Sequence, residues 1–313
     1  MSSINTNSSA MTALKMLNTT EKALERTQEA ISTGYRVNTA RDNAAYWSIA
    51  TAMRSDNKSL STVLDALGLG AAKVDTTYTA INAAIDVVDE IKAKLVAARE
   101  PSIDRTKIQT EIEELQSSLS SIAESAAFNG ENWLDIDSSA TGYSANANIV
   151  ASFKRASDGT VAVATITLSK ASVALFDANA AASGILDSDF DLASDDGASP
   201  PVTYTASVST LDLTAAYVTD ADIDAMITGV EAALQSLTGA ASDMGSAQKR
   251  VDMQVDFVGN LMDAIERGVG QLVDADMSEE STRLQALQVQ QQLGIQALSI
   301  ANASSQNILA LFQ

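Results

Sequence analysis

The sequence predicts a mostly α-helical protein. Long terminal helices form a coiled coil, further helices form a bundle-like rod with a small β-hairpin, and a β-rich domain is inserted between the helical parts. Three observations support this fold class. Apolar residues recur every three or four positions over long stretches. Aromatic residues are only 4% of the chain, so Ala, Leu, Ile and Val supply most apolar surface. From about 138 to 219 the pattern becomes alternating, as in strands.

The first helix is predicted from a seven-residue repeat near the N-terminus. Apolar residues define the repeat, with small or weakly polar residues between them. The two sets are Ala10, Leu17, Leu24 and Ile31, and Ala13, Thr20 and Thr27. This spacing is typical of one side of a coiled coil.

The last helix is predicted from a similar stripe, which Asp276 and Ser278 precede as start signals. The stripe steps by three or four through Ala286, Val289, Leu293, Ala297, Ile300, Ser304, Ile308 and Leu311. It is widened by Leu284, Leu287, Leu298, Leu309 and Phe312. Neither end can bury its stripe alone, so we expect the ends to pair. The residues expected in this coiled coil are Leu17, Leu24, Ile31, Leu293, Ile300, Ile308 and Leu311.

Two central helices are predicted before the insert. One runs from Ser55 to about Glu100, and the next from about Ser102 to Ala127, separated by Pro101. Such a pair forms an antiparallel helical hairpin. Asn129-Gly130, flanked by apolar residues, predicts a small β-hairpin after them.

The alternating region and the returning helices complete the organisation. The runs "VAVATITLSK" and "VTYTASVSTLDL" are interpreted as strands, and apolar spacing from Ile223 to Val269 predicts helix again. The predicted domains are 1–38 with 275–313, 39–137 with 222–274, and an insert at 138–221.

Composition excludes most chemical functions. The chain has no histidine and no cysteine, which removes the usual proton shuttle, thiolate nucleophiles and Cys/His zinc sites. We therefore expect no enzyme activity and no cofactor. A net charge of −20 argues against nucleic acid as a partner, and no apolar run is long enough for membrane insertion. Thirteen aspartates against three basic residues lie between 135 and 230, so the middle of the chain should be solvated.

Two apparent ligand motifs are better explained as ordinary structure. Asp187–Gly197 resembles the start of a calcium loop, but Leu192 and Ala198 stand where glycine and glutamate are required. We interpret it as an acidic surface loop. Gly68–Gly70 and Gly268–Gly270 do not follow strands, so we expect close helix packing there rather than a phosphate site.

The stretch "STGYRVNTARDNAAYWSIATAMRS", from Ser32 to Ser55, interrupts the apolar pattern. Gly34 is expected to end the first helix, and Asn38 and Asp42 to accept bonds from free backbone N–H groups and start the next. Arg36 and Arg41 can pair with carboxylates or carbonyls across a contact. Two interpretations remain on these residues alone: a joint that contacts other subunits, or an ordinary capped linker.

This stretch resembles "SSGLRINSAKDDAAGQAIA" of the bacterial flagellins, the subunits of the flagellar filament. Near the C-terminus, "MGSAQKRVD", "VDADMSEES" and "QQQLGIQALSIANASSQNILALFQ" are similar to further flagellin motifs, as is "FNG" at Phe128–Gly130. The resemblance covers roughly the first 135 and last 85 residues. The aromatic pair Tyr46-Trp47 in place of Gly-Gln is similar to the alphaproteobacterial, rhizobial type.

The resemblance implies a structural subunit of an extracellular filament used for swimming. The terminal helices would form an inner coiled coil, the central helices a surrounding tube, and the insert would face outward. The joint would link coil and tube, and its expected interface residues are Gly34, Arg36, Asn38, Arg41, Asp42, Tyr46 and Trp47.

Implied partners are the protein itself, sister flagellins, an export chaperone at the C-terminal helix, and hook-junction and cap proteins, with type III export. The alternatives are a hook–filament junction protein, a secreted coiled-coil adhesin, and a flagellin whose insert is an enzyme.

Overall fold

The computed structural model describes residues 7–156, 160–179, 184–195, 203–215 and 218–310. The chain forms two compact units. One is built from residues 1–58 with 261–313, and the other from residues 59–260. The terminal unit brings together the two ends of the sequence, whereas the central unit is continuous.

Five helices account for most of the described residues. They are α1 (Ser8–Thr33), α2 (Ala44–Ala98), α3 (Arg105–Ser125), α4 (Asp220–Val273) and α5 (Met277–Ala310). The predicted order of helices, strands and helices is confirmed. The start predicted for α2 is wrong, because the helix begins at Ala44 rather than Ser55. None of the described helices combines the length and apolar character needed to cross a membrane.

The core of the central unit follows heptad spacing on α2. Its buried apolar residues step by three, four or seven through Leu60, Val63, Leu67, Val74, Ile81, Ala84, Val88, Ile91 and Leu95. Ile223, Met226, Val230, Leu237, Met244, Val251 and Val258 form the equivalent row on α4. Lys92 Nζ lies 2.5 Å from a Glu231 carboxylate oxygen, and Gln248 donates to Asp75 over 3.3 Å. These two pairs place α2 and α4 antiparallel.

The predicted antiparallel hairpin of α2 and α3 is confirmed. Pro101 lies in the turn, and Asp104 caps α3 by accepting the Thr106 N–H over 3.1 Å. Lys94 on α2 pairs with Glu111 on α3 at 2.6 Å. At this turn end of the hairpin, Arg99 makes two hydrogen bonds to Asp224 of α4, 2.8 and 3.0 Å long. One arginine therefore connects the end of α2 to the start of α4.

The turn predicted at Asn129-Gly130 is present. Phe128 and Glu131 exchange backbone hydrogen bonds of 2.9 and 3.1 Å, and the two residues between them have positive φ angles of 52° and 78°. Asparagine and glycine tolerate this conformation best, which explains their choice here. The hairpin is limited to this single bridge.

The described strands form three two-stranded sheets. The longest pair is β2 (Asn146–Arg155) with β3 (Val161–Ser169), antiparallel with a register shift near Ala151. β1 (Asp135–Ile136) pairs in parallel with β4 (Phe176–Asp177), and β5 (Phe190–Asp195) pairs antiparallel with β6 (Thr203–Ala206). The interpretation of 187–197 as a loop is wrong where β5 forms. Of the described residues 203–213, only β6 is a strand, and a short 3-10 helix follows at Val208–Thr210.

Side-chain amides of α3 hold the segment that returns to the helices. The buried Gln109 amide accepts the Leu213 N–H over 2.9 Å and donates to the Leu211 carbonyl over 3.2 Å. Gln116 donates to the Val208 carbonyl over 3.0 Å. Two glutamines thus replace the ladder bonds that this segment would make in a sheet.

Candidate assembly site at the joint and the terminal helices

Gly34 ends α1, as predicted. Its φ of 75° lies in the left-handed region, and its N–H donates to the Ala30 carbonyl over 2.9 Å. A side chain at this position would cost about 1–2 kcal/mol in backbone strain. The glycine therefore lets the chain leave the helix and begin the joint, which we define as residues Gly34–Asn43.

The joint covers the end of α4. The N–H groups of Arg36 and Val37 both donate to the Val273 carbonyl, over 2.7 and 3.2 Å. The Arg36 guanidinium donates to the carbonyls of Leu272, over 3.1 Å, and Gln271, over 3.4 Å. A cation and two N–H groups therefore satisfy carbonyls that a helix end leaves free. Arg36 thus pairs with carbonyls of its own chain.

A small apolar core anchors this arrangement within the terminal unit. Val37 packs with Ala50 of α2 and with Val269 and Val273 of α4, all four buried. Met53, Ile265 and Leu272 pack against this core. Sequence reasoning missed Val37, although a single apolar residue between the polar Arg36 and Asn38 was the available signal.

Asp42 closes a loop within the joint and does not cap α2. Its Oδ2 accepts the N–H groups of Thr39, over 2.9 Å, and Asn38, over 3.2 Å. These bonds, that to the Thr39 N–H above all, lower the pKa of the Asp42 carboxyl. The prediction that Asn38 and Asp42 start α2 is wrong, because Asn43 Oδ1 accepts the N–H groups of Ala45 and Tyr46 over 3.1 and 3.2 Å. Asparagine is the better cap here because it directly precedes the first helical residue.

The first turns of α2 present an aromatic surface. Tyr46 and Trp47 are exposed, and so is Ile49 on the following turn. The Tyr35 ring lies beneath the Arg54 guanidinium, 4.8 Å from its centroid, so this aromatic residue of the joint has a partner in the chain. Tyr46 and Trp47 remain accessible to a second molecule.

A polar cavity of about 270 Å³ opens between α1 and the joint. Its lining residues are Arg26, Glu29, Ala30, Tyr35, Arg36, Asn38, Arg41 and Asp42. The structure thus brings Arg36, Asn38, Arg41 and Asp42 of the predicted site into one cavity and adds Arg26 and Glu29 from α1. Tyr46 and Trp47 are not part of its lining.

The two terminal helices pair antiparallel. Asn7 Nδ2 donates to the Ala301 carbonyl over 2.9 Å, and Leu17 lies against Gly294, 3.4 Å from where a β-carbon would stand. On α1 the residues of the predicted repeat are among the less exposed, namely Ala10, Ala13, Leu17, Thr20, Leu24, Thr27 and Ile31, and Ala23 and Ala30 are similarly shielded. The predicted seam residues of α1 are thus among its less exposed residues in the single chain.

The α5 residues of that seam do not form the contact with α1 within one chain. Leu293 is 58% exposed and Ile300 70% exposed. The less exposed row is instead Leu284, Leu287, Gln291, Gly294, Leu298 and Ala301. Ile308 lies where only the backbone is described, and Leu311 lies outside the described residues. Asp276, whose Oδ1 accepts the Ser278 N–H over 2.8 Å, caps α5 as predicted.

Each terminal helix therefore has a second apolar face without a partner in the described chain. Met11 and Met16 of α1 are as exposed as Leu293 and Ile300 of α5. Such faces in paired helices, together with the cavity and aromatic surface at the joint, define a helical structural protein that associates with further copies. Comparison with known proteins identifies the family.

The chain belongs to the bacterial flagellin family. Residues 4–139 match the bacterial flagellin N-terminal helical region, and residues 227–312 match the C-terminal helical region. Flagellin C of Rhizobium meliloti is 52% identical over all of both chains, and the flagellin of Brucella melitensis is 46% identical over all of both. A solved Bacillus cereus flagellin covers 63% of this chain and 88% of its own at 18% identity, with a TM-score of 0.40 that is too low to support any argument.

Family membership settles the class of function. Flagellins are structural and not enzymatic, and this chain is a subunit of the extracellular flagellar filament, which propels the cell. Its rhizobial type agrees with the similarity to Rhizobium meliloti and Brucella melitensis flagellins. The alternatives, a junction protein, an adhesin or an enzyme-bearing flagellin, are not favoured.

Proposed function

We propose that the filament is held together at its centre by the apolar faces of α1 and α5 that remain exposed in the single chain. The observation that carries this proposal is the exposure of Leu293 and Ile300, at 58% and 70%. They lie seven residues apart, which is one heptad, so both project from the same side of α5. A second copy of the helical pair is the natural occupant of this side.

In this arrangement residues 1–38 with 275–313 form the inner coiled-coil domain and residues 39–137 with 222–274 form the surrounding rod. Residues 138–221 form the outward-facing insert. Charge supports the placement of the insert, because its aspartates repel one another less where water and salt screen them. The joint residues, together with Tyr46 and Trp47, lie at the boundary of inner and outer parts and contact neighbouring subunits.

Other partners follow from the same exposed helices. A C-terminal helix that leaves an apolar side uncovered before assembly requires protection during export, so an export chaperone binds α5 at about 284–312. Hook-junction and cap proteins meet the ends of the filament, and sister flagellins enter the same lattice. Export proceeds by the type III path.

The proposal is tested with Leu293→Ser combined with Ile300→Ser. Purified monomers are added to short filament seeds, and elongation is followed by electron microscopy and by the critical concentration. Because both side chains are exposed in the single chain, the monomer should keep its circular dichroism spectrum, whereas elongation should fail or require at least about tenfold more protein.

The matched control is Gln288→Ser combined with Asn302→Ser. Both residues are exposed on α5 but project away from the side of Leu293 and Ile300. This variant should elongate like the unmodified protein. Equal elongation by the leucine–isoleucine variant would show that the exposed side of α5 does not hold the filament together.

A further inference from the structure

The cavity at the joint carries an excess of positive charge. Three guanidinium groups and two carboxylates line it, contributed by Arg26, Arg36, Arg41, Glu29 and Asp42. Its volume of about 270 Å³ is enough for a carboxylate side chain with a few waters, since one water occupies about 30 Å³ in the liquid. The composition and size of the cavity both suit an anion from outside the chain.

Both carboxylates of the cavity already have partners. Asp42 accepts backbone and side-chain hydrogen bonds from Thr39, 2.9 and 3.1 Å long. Glu29 accepts a bond of 3.4 Å from the Asn38 amide. Arg36 is committed to the carbonyls at the end of α4.

The two other arginines are available. Neither Arg26 nor Arg41 has a hydrogen bond or an ion pair with another described residue, and both are exposed; the charge of Arg26 contributes to the lowered pKa of Asp42. A guanidinium group donates through a planar fork that matches the two oxygens of a carboxylate. Because Glu29 and Asp42 already accept hydrogen bonds, the guanidinium groups of Arg26 and Arg41 form a binding site for one more carboxylate.

We propose that this cavity receives an acidic side chain from α4 of a second copy, at the turn that carries Asp252 and Asp256. The inference rests on the proposed assembly into filaments and specifies one of its contacts. It adds Arg26, which lies outside the joint, and assigns the chemistry of the partner.

The exposed side of α4 is complementary to the joint in two respects. Asp252 and Asp256 are exposed and have no hydrogen bond or ion pair with the rest of the described chain. Met253 and Phe257 beside them are 63% and 57% exposed. This side therefore combines acidic and large apolar groups.

The joint offers the opposite charge next to aromatic groups, since Arg41 is followed by the exposed Tyr46 and Trp47. The two surfaces differ from each other, so the contact is heterologous. A heterologous contact that does not close into a ring builds an open helical polymer. The same chain thus carries both halves of a repeating contact.

The first test compares Arg41→Gln with Arg267→Gln in seeded elongation. Arg267 is also exposed, belongs to the same unit and does not line the cavity. Removing Arg41 should raise the critical concentration by about tenfold or more, the range expected for a charge-assisted hydrogen bond, whereas the control should change it less than twofold. Equal elongation by both variants would overturn the inference. Circular dichroism of both monomers should be unchanged, because neither arginine has a partner in the described chain.

The second test exchanges the charges. Arg41→Glu alone and Asp256→Arg alone should each block elongation, and the two combined in one chain should restore it, because every cavity then meets the opposite charge. The same exchange is made at the preceding turn, with Asp252→Arg alone and Asp252→Arg combined with Arg41→Glu. Restoration by either pair supports the inference, and failure of both pairs overturns the assignment to α4.

The competing explanation is that the cavity binds a free anion instead of an acidic side chain of a second copy. Inorganic phosphate is therefore titrated into the monomer while the arginine Nε–H signals are followed by NMR. A shift that depends on Arg41, combined with normal elongation of Arg41→Gln, would make the cavity a site for free anions and refute the contact. If the unmodified protein itself fails to elongate from seeds, the proposed function fails, and this inference fails with it.

Discussion

Glu131 shows how a single residue joins separate parts of the central unit. Its carboxylate lies 2.6 Å from Lys73 Nζ of α2 and 2.8 Å from Lys170 Nζ, which directly follows β3. Glu131 itself belongs to the tight turn after α3. One carboxylate therefore ties a helix, a turn and a strand end together. Its bonds to Lys170 and then Lys73 lower the pKa of Glu131 to about 2.

This pKa predicts acid sensitivity of the central unit. A folded pKa of about 2, below the ordinary 4.5, stabilises the fold fully above pH 4.5, and this stabilisation is lost as pH falls towards 2. The carboxylate is about a third exposed, so after solvent screening the effect is about 1–2 kcal/mol. Glu131→Gln should lower the free energy of unfolding by this amount at pH 7 and by little at pH 2.5.

Urea unfolding at a series of pH values measures this effect. Glu100→Gln is the control, because Glu100 is exposed and has no side-chain hydrogen bond or ion pair among the described residues. A Glu131 variant whose stability differs from the unmodified protein equally at both pH values would contradict the ionic role.

At the scale of elements, the approach of β2 to α2 depends on a missing side chain. A β-carbon at Gly70 would stand 2.3 Å from Ile149 Cγ2, whereas one at Gly68 would meet no atom within 4 Å. The expectation of close packing is thus correct for Gly70 and wrong for Gly68. Ile149 is itself buried, so it has little room to move.

Gly70→Ala should destabilise the central unit by about 1–3 kcal/mol, the usual cost of inserting atoms into a packed core. Gly68→Ala on the same helix should instead stabilise it by up to about 1 kcal/mol, because alanine is the better helix former and the space is open. Thermal unfolding of the two variants gives the comparison. A Gly70→Ala protein as stable as Gly68→Ala would mean that β2 does not rest on α2.

Sequence reasoning was reliable for elements that local spacing or local backbone geometry determines. The helix predicted from the α1 repeat, the α2–α3 hairpin and the caps Gly34 and Asp276 are all confirmed, because each depends on local spacing or local backbone geometry. It failed for α5, whose apolar residues lie on several sides. When apolar residues surround a helix, spacing alone does not determine which row meets the partner.

The start of α2 was missed for a related reason. Between Ala44 and Ser55, only Ala50 and Met53 turn towards the core, and the larger Tyr46 and Trp47 are exposed. Because these large aromatic residues stand at exposed positions, the apolar residues of this segment do not follow the 3.6-residue period that identifies a helix. The cavity arginines were equally hard to assign together, because Arg26 belongs to a helix whose polar side looks like any solvated surface.

For the whole molecule, sequence similarity and charge vary together along the chain. The two family regions leave residues 140–226 unmatched, and this stretch holds most of the thirteen aspartates of the middle. Flagellin A of Rhizobium meliloti aligns with the full chain over 398 positions, so full-length relatives differ considerably in length. The helical ends match the family models, whereas the unmatched middle is acidic.

The difference in burial between the two units predicts how the molecule changes on assembly. On α1 only Thr27 is buried, whereas α2 has an unbroken row of fully buried residues from Leu60 to Leu95. Helices with few buried contacts open at low free-energy cost. In the monomer, amide hydrogens of 10–31 and 284–301 should therefore exchange at least about a hundredfold faster than those of 81–95.

In the filament both terminal segments should become as slowly exchanging as α2, because neighbouring copies then cover their second apolar face. Hydrogen exchange followed by mass spectrometry on monomer and filament measures this directly. The 81–95 segment serves as the internal control, since its protection should not change. Strong protection of α1 and α5 already in the monomer would show that their pairing is complete within one chain, and the exposed faces would then have no role in ordering the ends.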